Sequence, residues 1–318
     1  MKKDTEVLFF GFSDDYDLLQ IEELRKYYKI SIFTANNVIC YLYARFGSNE
    51  IINKLISKYF SIRLAELSKD AIVICIDKPI YLNFVNVIDN KYGILFRNTY
   101  DYNDFPLEFV KDKLCFSFDR NDCRNFNFIY YNQYINQDEV FLPKSKIIDN
   151  DFYFIGMDKG RRVIIERLVK NLKKINSDFK FSINIKRAPN NKLEKYLSVI
   201  FYNKDVTHIS YKENLKNIAS SKVIIDIVKD GQIGITLKTL EALVYGKKII
   251  TNNKMIVNYD FYDEKQIYII NDTDNDECHK LNYFLNNKFD CNTNLDKYVI
   301  KSVFDKIISK IKGSYNVN

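Results

Sequence analysis

The chain contains no tryptophan, only two histidines (His208 and His279), and no CxxC pair among its six cysteines. Two histidines exclude a multi-histidine metal centre. The length and composition of the chain argue against a small disulfide scaffold. Cys40, Cys75 and Cys115 lie in apolar runs and read as buried thiols of a reducing compartment. No uninterrupted apolar run reaches the roughly 18 residues that a spanning helix needs. The opening MKKDTEVLFFGF has an apolar stretch of about six residues and no small-residue cleavage site, so it reads as a first strand rather than a signal peptide. Neither a full GxGxxG nor a Walker loop occurs. Charge of one sign is also scarce: 48 Lys+Arg face 41 Asp+Glu, a net +7 spread along the chain. A dedicated nucleic-acid binder gathers its basic residues on one face or in one run. No nucleic-acid partner is expected, and the mild excess suits anionic small ligands or contact with an acidic membrane surface.

What is present is ordinary for a globular chain. Hydrophobic residues make up 47% and charged residues 28% of 318 positions. That length buries most of its apolar surface without staples and suggests two domains. The expected compartment is the cytoplasm, with the inner face of the plasma membrane and peripheral contact there left open. The 24 Tyr and 24 Phe accompany an Asn-, Lys- and Ile-rich composition and carry no functional assignment.

Along the first half, Val7–Phe12, Ile30–Phe33, Ala71–Ile76 and Tyr92–Phe96 read as strands, and Tyr16–Tyr27 and Glu50–Leu67 as helices. Near-continuous apolar strands separated by helices predict a parallel sheet covered on both faces. The texture turns polar, aromatic and irregular over Asn121–Asn150, where a connector is expected. Alternation then restarts: strand Phe152–Ile155 breaking at Gly156, helix Arg161–Lys174, strand Phe179–Ile185, a short strand Val206–Ser210, helix Leu215–Ser220, strand Val223–Ile227, helix Leu237–Tyr245, and strands Lys248–Thr251 and Gln266–Ile270. The expected division is 1–120 for an N-terminal acceptor-side domain, 121–150 for the connector, 151–290 for a nucleotide-sugar domain, and 291–318 for a C-terminal helix that can pack back on the first domain.

Two segments carry chemistry. In FYFIGMDKGRR a strand runs through Gly156 into Lys159, Gly160, Arg161 and Arg162 and then a helix. A glycine turn at a strand end that feeds free N–H groups at a helix start binds phosphate, and the cations add to it. An ordinary strand-to-helix turn with solvated lysines is the alternative. In VIIDIVKDGQIGITLKTLEALVYGKKIITNN, Gly231 and Gly234 flank Gln232, and Gly234, Ile235 and Thr236 open a helix carrying Lys238 and Glu241. Amides at that helix start and the Lys238 ammonium suit an anion. The Glu241 carboxylate suits a vicinal diol such as ribose. Capping by Thr236 and a solvated face for Lys238 and Glu241 is the alternative, although two glycines before a helix are costly without a reason for them.

The second segment resembles the donor domain of GT-B glycosyltransferases, in particular the group-1 type of bacterial capsule and O-antigen (lipopolysaccharide) synthesis. The likeness rests on the glycine loop, Leu240-Glu241-Ala242, Gly246 and the strand KKIIT, with GMDKGRR as the earlier element and FSFDRNDCRNFNFIYYNQY as the connector. It covers roughly residues 113 to 270. It implies an α/β, GT-B fold, with two Rossmann-like parallel-sheet domains facing across a cleft. It further implies a metal-independent hexosyltransferase with no cofactor, a nucleotide-sugar donor and a saccharide or lipid-linked acceptor. The sequence departs from the family at one point: many retaining members carry two glutamates with seven residues between them, and the first would fall at Ile233. Gln232 is its neighbour.

The implied catalytic residues are Lys159 and Lys238 on the leaving diphosphate and, for an inverting course, Asp14 as general base, with Asp15 and Asp77 also at strand ends. Helix N-capping by Ser13 or Asp14 competes with that role. Donor contacts fall to Gly156, Gly160, Arg161, Gln232, Gly234, Ile235, Thr236 and Glu241. His208 reads as structural, and Asp272–Asp276 as a solvated acidic loop rather than a metal site. Two rivals remain: a non-catalytic GT-B-shaped binding protein, and a nucleotide-dependent sugar oxidoreductase or epimerase. The oxidoreductase would need a glycine fingerprint after the first strand, where only Gly11 stands.

Overall fold

A computed structural model describes residues 5–99, 107–136, 147–186, 209–271, 276–290 and 294–314. Val206–His208, including His208, and Asp272–Asn275 of the acidic run lie outside the described residues. The chain divides into two compact units, one of residues 1–132 with 300–318, the other of residues 133–299.

The first unit contains β1 (Glu6–Phe10), α1 (Asp15–Leu24), β2 (Lys29–Phe33), α2 (Asn37–Phe46), α3 (Glu50–Leu64), β3 (Ile72–Ile76), α4 (Pro79–Asn83), β4 (Lys91–Phe96), α5 (Leu107–Val110), β5 (Cys115–Ser117), α6 (Arg120–Phe126) and β6 (Ile129–Tyr130). The second contains β7 (Asn150–Met157), α7 (Arg162–Ile175), β8 (Phe181–Lys186), α8 (Tyr211–Ala219), β9 (Ser221–Asp226), α9 (Leu237–Val244), β10 (Lys248–Thr251), β11 (Ile267–Ile269) and α10 (Glu277–Asn286). The last helix, α11 (Ile300–Ser314), returns to the first unit.

All the paired strands are parallel. The first sheet has the order β2-β1-β3-β4-β5-β6 and the second β11-β10-β9-β7-β8. The expected pair of parallel-sheet α/β units is therefore what the chain forms. The reason is visible in β3, where all five residues of IVICI are buried. A strand apolar on every position needs cover on both faces, which crossover helices supply.

In the second unit the two faces can be read residue by residue. Phe152, Phe154, Val223, Ile225 and Ile250 pack with α7 and α10. Tyr153, Ile224, Ile249 and Ile267 point the other way, toward Ile218 of α8 and Leu240 and Leu243 of α9. Alternation with period two assigns each residue to its side. Helix α11 buries Ile300, Val303, Phe304, Ile307, Ile308 and Ile311. Gly93 makes room for it: a Cβ there would stand 2.9 Å from Ile311 Cδ1 and 2.7 Å from Phe116 Cε2.

Three local expectations need correction. Strand β7 does not break at Gly156; Gly156 pairs with Ile185 and Met157 with Lys186, and the turn comes two residues later. The stretch 121–150, expected to lack regular structure, holds most of α6 and all of β6, which extends the first sheet through Phe116↔Ile129. Asp119 caps α6 by accepting from the Asn121 N–H at 2.8 Å, and Asn127 ends it at φ 56. Its seven residues are too few to show a helical period. Finally, α2 has no sequence counterpart among the expected elements, and none of its residues is buried.

Candidate functional site

In open parallel sheets ligands bind beyond the carboxyl ends of the strands, where the order reverses. In the second sheet that point lies between β7 and β9, whose following helices run to opposite faces. Both chemistry-bearing segments of the sequence leave the sheet there.

After β7 the chain turns through Lys159 at φ 42 and Gly160 at φ 82. A side chain at Gly160 would meet nothing within 4 Å, so glycine is favoured there by the backbone conformation rather than by crowding. Asp158 fastens the turn: its carboxylate accepts from the Arg162 N–H at 3.2 Å and from Arg162 Nε at 3.2 Å. These backbone donors, first of all Arg162, hold its carboxyl below the ordinary value. A protein carboxylate thus already takes part of the α7 start, so this turn offers an anion its side chains more than its amides. Arg161 Nη1 donates to the Met157 carbonyl at 3.2 Å, while its buried Nε has no hydrogen-bond partner among the described residues. A Cβ on Gly156 would lie 3.2 Å from Phe154 Cζ and at ordinary contact distance, 3.5 Å, from Arg161 Nη1.

After β9 the chain is held by polar side chains from the end of β10. Asn252 Oδ1 accepts from the Val228 N–H at 2.8 Å and its Nδ2 donates to the Val228 carbonyl at 3.1 Å. Asn253 Nδ2 donates to the Ile233 carbonyl at 3.3 Å, and Gln232 Nε2 to the Gly234 carbonyl at 3.2 Å. Gly231 sits at φ 78 with open space around it; the left-handed turn, not a close approach, accounts for that glycine. Ile235 is 1% exposed and packs with Leu240 in the core, so its side chain anchors the loop.

Thr236 is the N-cap of α9 and accepts from the Thr239 N–H at 3.3 Å. Its hydroxyl also donates to Asp226 Oδ2 at 2.7 Å, where the Thr239 hydroxyl donates at 2.6 Å. Asp226, the last residue of β9, thereby locks the helix start to the sheet. The helix ends in a Schellman arrangement, Lys247 N–H to Ala242 carbonyl at 2.8 Å and Gly246 N–H to Leu243 carbonyl at 3.0 Å, with Gly246 at φ 60.

Lys238 Nζ stands 4.4 Å from the centroid of the Phe154 ring, and no carboxylate of the described residues pairs with it within 4.0 Å. Burial lowers its pKa, Asp226 opposes that, and the positive Arg161 reinforces it. Arg161 is lowered by burial against the pull of Asp226. Lys159 is lowered by partial burial, then by Arg161 and Lys229. Lys159, Arg161 and Lys238, each with its charge disfavoured by burial, stand near one another, with Asp226 beside Arg161 and Lys238 and Glu241 beside Lys238. Such a site gains when an anion enters.

Glu241, 3% exposed, sits one turn behind Lys238 and accepts from Asn214 Nδ2 at 3.4 Å. Burial pushes its pKa up to about 7, opposed by a hydrogen bond from Tyr211 and by Lys238. The Tyr153 hydroxyl donates to Asn214 Oδ1 at 3.0 Å and holds that amide in place. The structure therefore brings Lys159, Arg161, Lys238 and Glu241 together, with Gly156, Gly160, Gln232, Gly234, Ile235 and Thr236 shaping their loops. Sequence reasoning missed Asp226, Lys229, Asn252, Asn253, Tyr211 and Asn214. Polar residues directly after the apolar runs VIID and KIIT were the available signal for Asp226 and the two asparagines.

Asp14 lies in the other unit, after β1, at the equivalent reversal of the first sheet. It holds the N-cap position of α1 without a capping side-chain bond. Its Oδ2 instead lies 3.2 Å from Lys78 Nζ and accepts from the Tyr16 hydroxyl at 3.3 Å. Beneath it, Arg97 Nη1 and Asp17 Oδ1 pair at 3.1 Å with side chains 4% and 0% exposed. Asp77 accepts from the Asn98 N–H at 3.1 Å, and burial, partly offset by the Asn98 and Arg97 backbone N–H groups, pushes its pKa up to about 6. Among the described residues no group of three or more His, Cys, Asp and Glu is placed to hold a metal ion, and no helix is long and apolar enough to cross a membrane.

No family model matches the sequence, and no curated protein matches it. Solved structures do match the fold. The Anabaena protein HepE, solved with UDP-glucose, superposes with a TM-score of 0.60 at 9% identity, covering 97% of this chain and 99% of its own. The UDP-GlcNAc 2-epimerase of Methanocaldococcus jannaschii gives 0.56 at 13% identity over 97% and 99%. The lipopolysaccharide outer core galactosyltransferase WaaB gives 0.52 at 14% over 98% and 100%. The fold class is GT-B. This chain also matches TarM at a TM-score of 0.53 and 17% identity, with 80% of the chain aligned, and there it spans 57% of the TarM chain.

Proposed function

We propose that the protein is a glycosyltransferase that moves a sugar from a nucleoside-diphosphate donor to a saccharide or lipid-linked acceptor in bacterial surface polysaccharide synthesis. The observation that carries this reading is the cation cluster Lys159, Arg161 and Lys238 at the β7/β9 reversal, in which the Lys238 ammonium stands over the Phe154 ring. As the bond from sugar to diphosphate breaks, negative charge grows on the diphosphate. Preorganised cations and the α9 N–H groups stabilise that charge without a metal. Glu241 accepts from the ribose hydroxyls, with Tyr211 and Asn214 orienting it. At the first unit, Asp14 has the exposure and Asp77 the raised pKa that a base on the acceptor hydroxyl requires; for an inverting course Asp14 is the first choice because Asp77 is only 2% exposed. The neighbours named as a galactosyltransferase and as a UDP-glucose complex support the class.

The epimerase neighbour favours a second reading, in which a bound nucleotide sugar is rearranged rather than transferred. A thermal-shift screen of UDP-, GDP-, CMP- and dTDP-sugars tests both. The expected result is stabilisation by one nucleoside diphosphate, growing with its concentration. Release of that diphosphate on adding a saccharide acceptor supports transfer, whereas a changed sugar still attached to nucleotide supports epimerisation. No stabilisation by any nucleotide at millimolar concentration overturns both.

A further inference from the structure

Fourteen large hydrophobic side chains are exposed among the described residues, and six of them (Val38, Tyr41, Phe46, Ile51, Leu55 and Ile62) lie on α2 and α3 of the first unit. Soluble proteins scatter such residues singly; a cluster marks a surface that meets something. On α3 the outward stripe is Ile51, Lys54, Leu55, Lys58 and Ile62, at spacings of three or four residues, opposite the buried Ile56, Phe60 and Leu64. Ile51 is 70% and Leu55 57% exposed. On α2, Val38, Tyr41 and Arg45 share the corresponding line.

The charges fit one kind of occupant. The helices carry Arg45, Lys54, Lys58 and Arg63 against Glu50 alone. Arg63 pairs with Glu66 at 3.5 Å; Arg45, Lys54 and Lys58 have no ion pair among the described residues. Cations alternating with aliphatics on an exposed helical surface, without a neutralising acid, match an anionic lipid surface: the headgroups meet the ammonium groups, and the apolar tips enter the acyl boundary. A second copy is disfavoured, because two surfaces of the same sign repel. From this the geometry points to α2–α3 as a docking face for anionic bilayers. It adjoins the acceptor-side strand ends, since Cys40 of α2 lies within electrostatic reach of Lys78. Docking itself does not depend on the proposed transfer reaction.

The test is co-sedimentation of the full chain with vesicles of phosphatidylcholine alone and of phosphatidylcholine with phosphatidylglycerol. Binding is expected only to the anionic vesicles and is expected to weaken at high salt. Lys54→Glu with Lys58→Glu should reduce it by about twenty-five-fold or more, at roughly fivefold per charge near such a surface. Ile51→Ser with Leu55→Ser should reduce it with an unchanged melting temperature, both side chains being exposed. Because the chain has no tryptophan, Ile51→Trp gives a unique fluorophore whose emission should shift to the blue on anionic vesicles. No sedimentation with either vesicle overturns the proposal. So does binding that both double variants leave intact, or self-association in place of lipid binding, abolished by Ile51→Ser with Leu55→Ser. Nucleotide stabilisation is measured without vesicles, so loss of either result leaves the other standing.

Discussion

The two sheets reverse at equivalent places, between β1 and β3 in one unit and between β7 and β9 in the other, yet they present opposite electrostatics there. At the first reversal the charges neutralise one another: Lys78 meets Asp14, and Arg97 meets Asp17 and lies within electrostatic reach of Asp77. At the second, Arg161 and Lys238 neighbour Asp226, whose acceptor oxygen is already held by two threonines; Glu241 lies by Lys238, and Lys159 adds a third positive charge beside Arg161. The same topology thus ends in a charge-paired crevice in one unit and a cation-rich one in the other. The topology supplies the crevice in both, and the loop residues decide what it takes.

The largest expected effect breaks the first crevice. Arg97→Leu leaves Asp17 and Asp77 buried without their cation and should cost about 3–5 kcal/mol in denaturant unfolding. Lys238→Met is the contrasting change. It removes an unpaired cation from a site already repelling cations, so the melting temperature of the empty protein should hold or rise while nucleotide affinity falls by roughly tenfold to a hundredfold, the worth of a charge-assisted contact. If Arg97→Leu is silent, or if Lys238→Met unfolds the chain, the contrast between the two crevices fails.

Glu241 sharpens the same contrast through pH. Its folded pKa of about 7 lies above the ordinary 4.5. The folded state therefore holds a proton that the unfolded state has lost over that interval, and stability declines as pH rises from about 4.5 to about 7, then levels. Glu241→Gln removes the penalty. It should stabilise the protein at pH 8 by up to about 3 kcal/mol, with little difference at pH 4, measured as unfolding midpoints at both values. Nucleotide binding should weaken in the same variant if the carboxylate grips ribose. A smaller effect is expected for Thr236→Val, about 1–2 kcal/mol from loss of the cap and of the bond to Asp226. Nucleotide affinity relative to wild type should change little, because that hydroxyl is fully engaged within the protein.

Much of the fold is legible locally. Runs such as VLFF and AIVICI are apolar on every position, and a strand of that kind has no stable place except a parallel sheet covered on both sides. Helix α9 is equally readable, from its Thr236 cap to Gly246. The short elements α6 and β6 are not, since seven and two residues cannot display a period. Helix α2 escapes for another reason: its residues are at most partly buried, as Cys40 and Tyr43 are, so no fully buried stripe announces it.

Of the candidate site, Lys159, Arg161, Lys238 and Glu241 are visible as charged residues at strand-to-helix junctions. By itself the sequence determined that there would be two parallel-sheet units and which loops would carry cations, because strand burial and turn chemistry are properties of neighbouring residues. Only the tertiary structure decided that β7 and β9 lie side by side, that Asp226 is spent on two threonine hydroxyls, and that Asn252 and Asn253 brace a loop about twenty residues away in sequence. Charge balance at a site depends on distances in space, and those are set by the order in which strands pair.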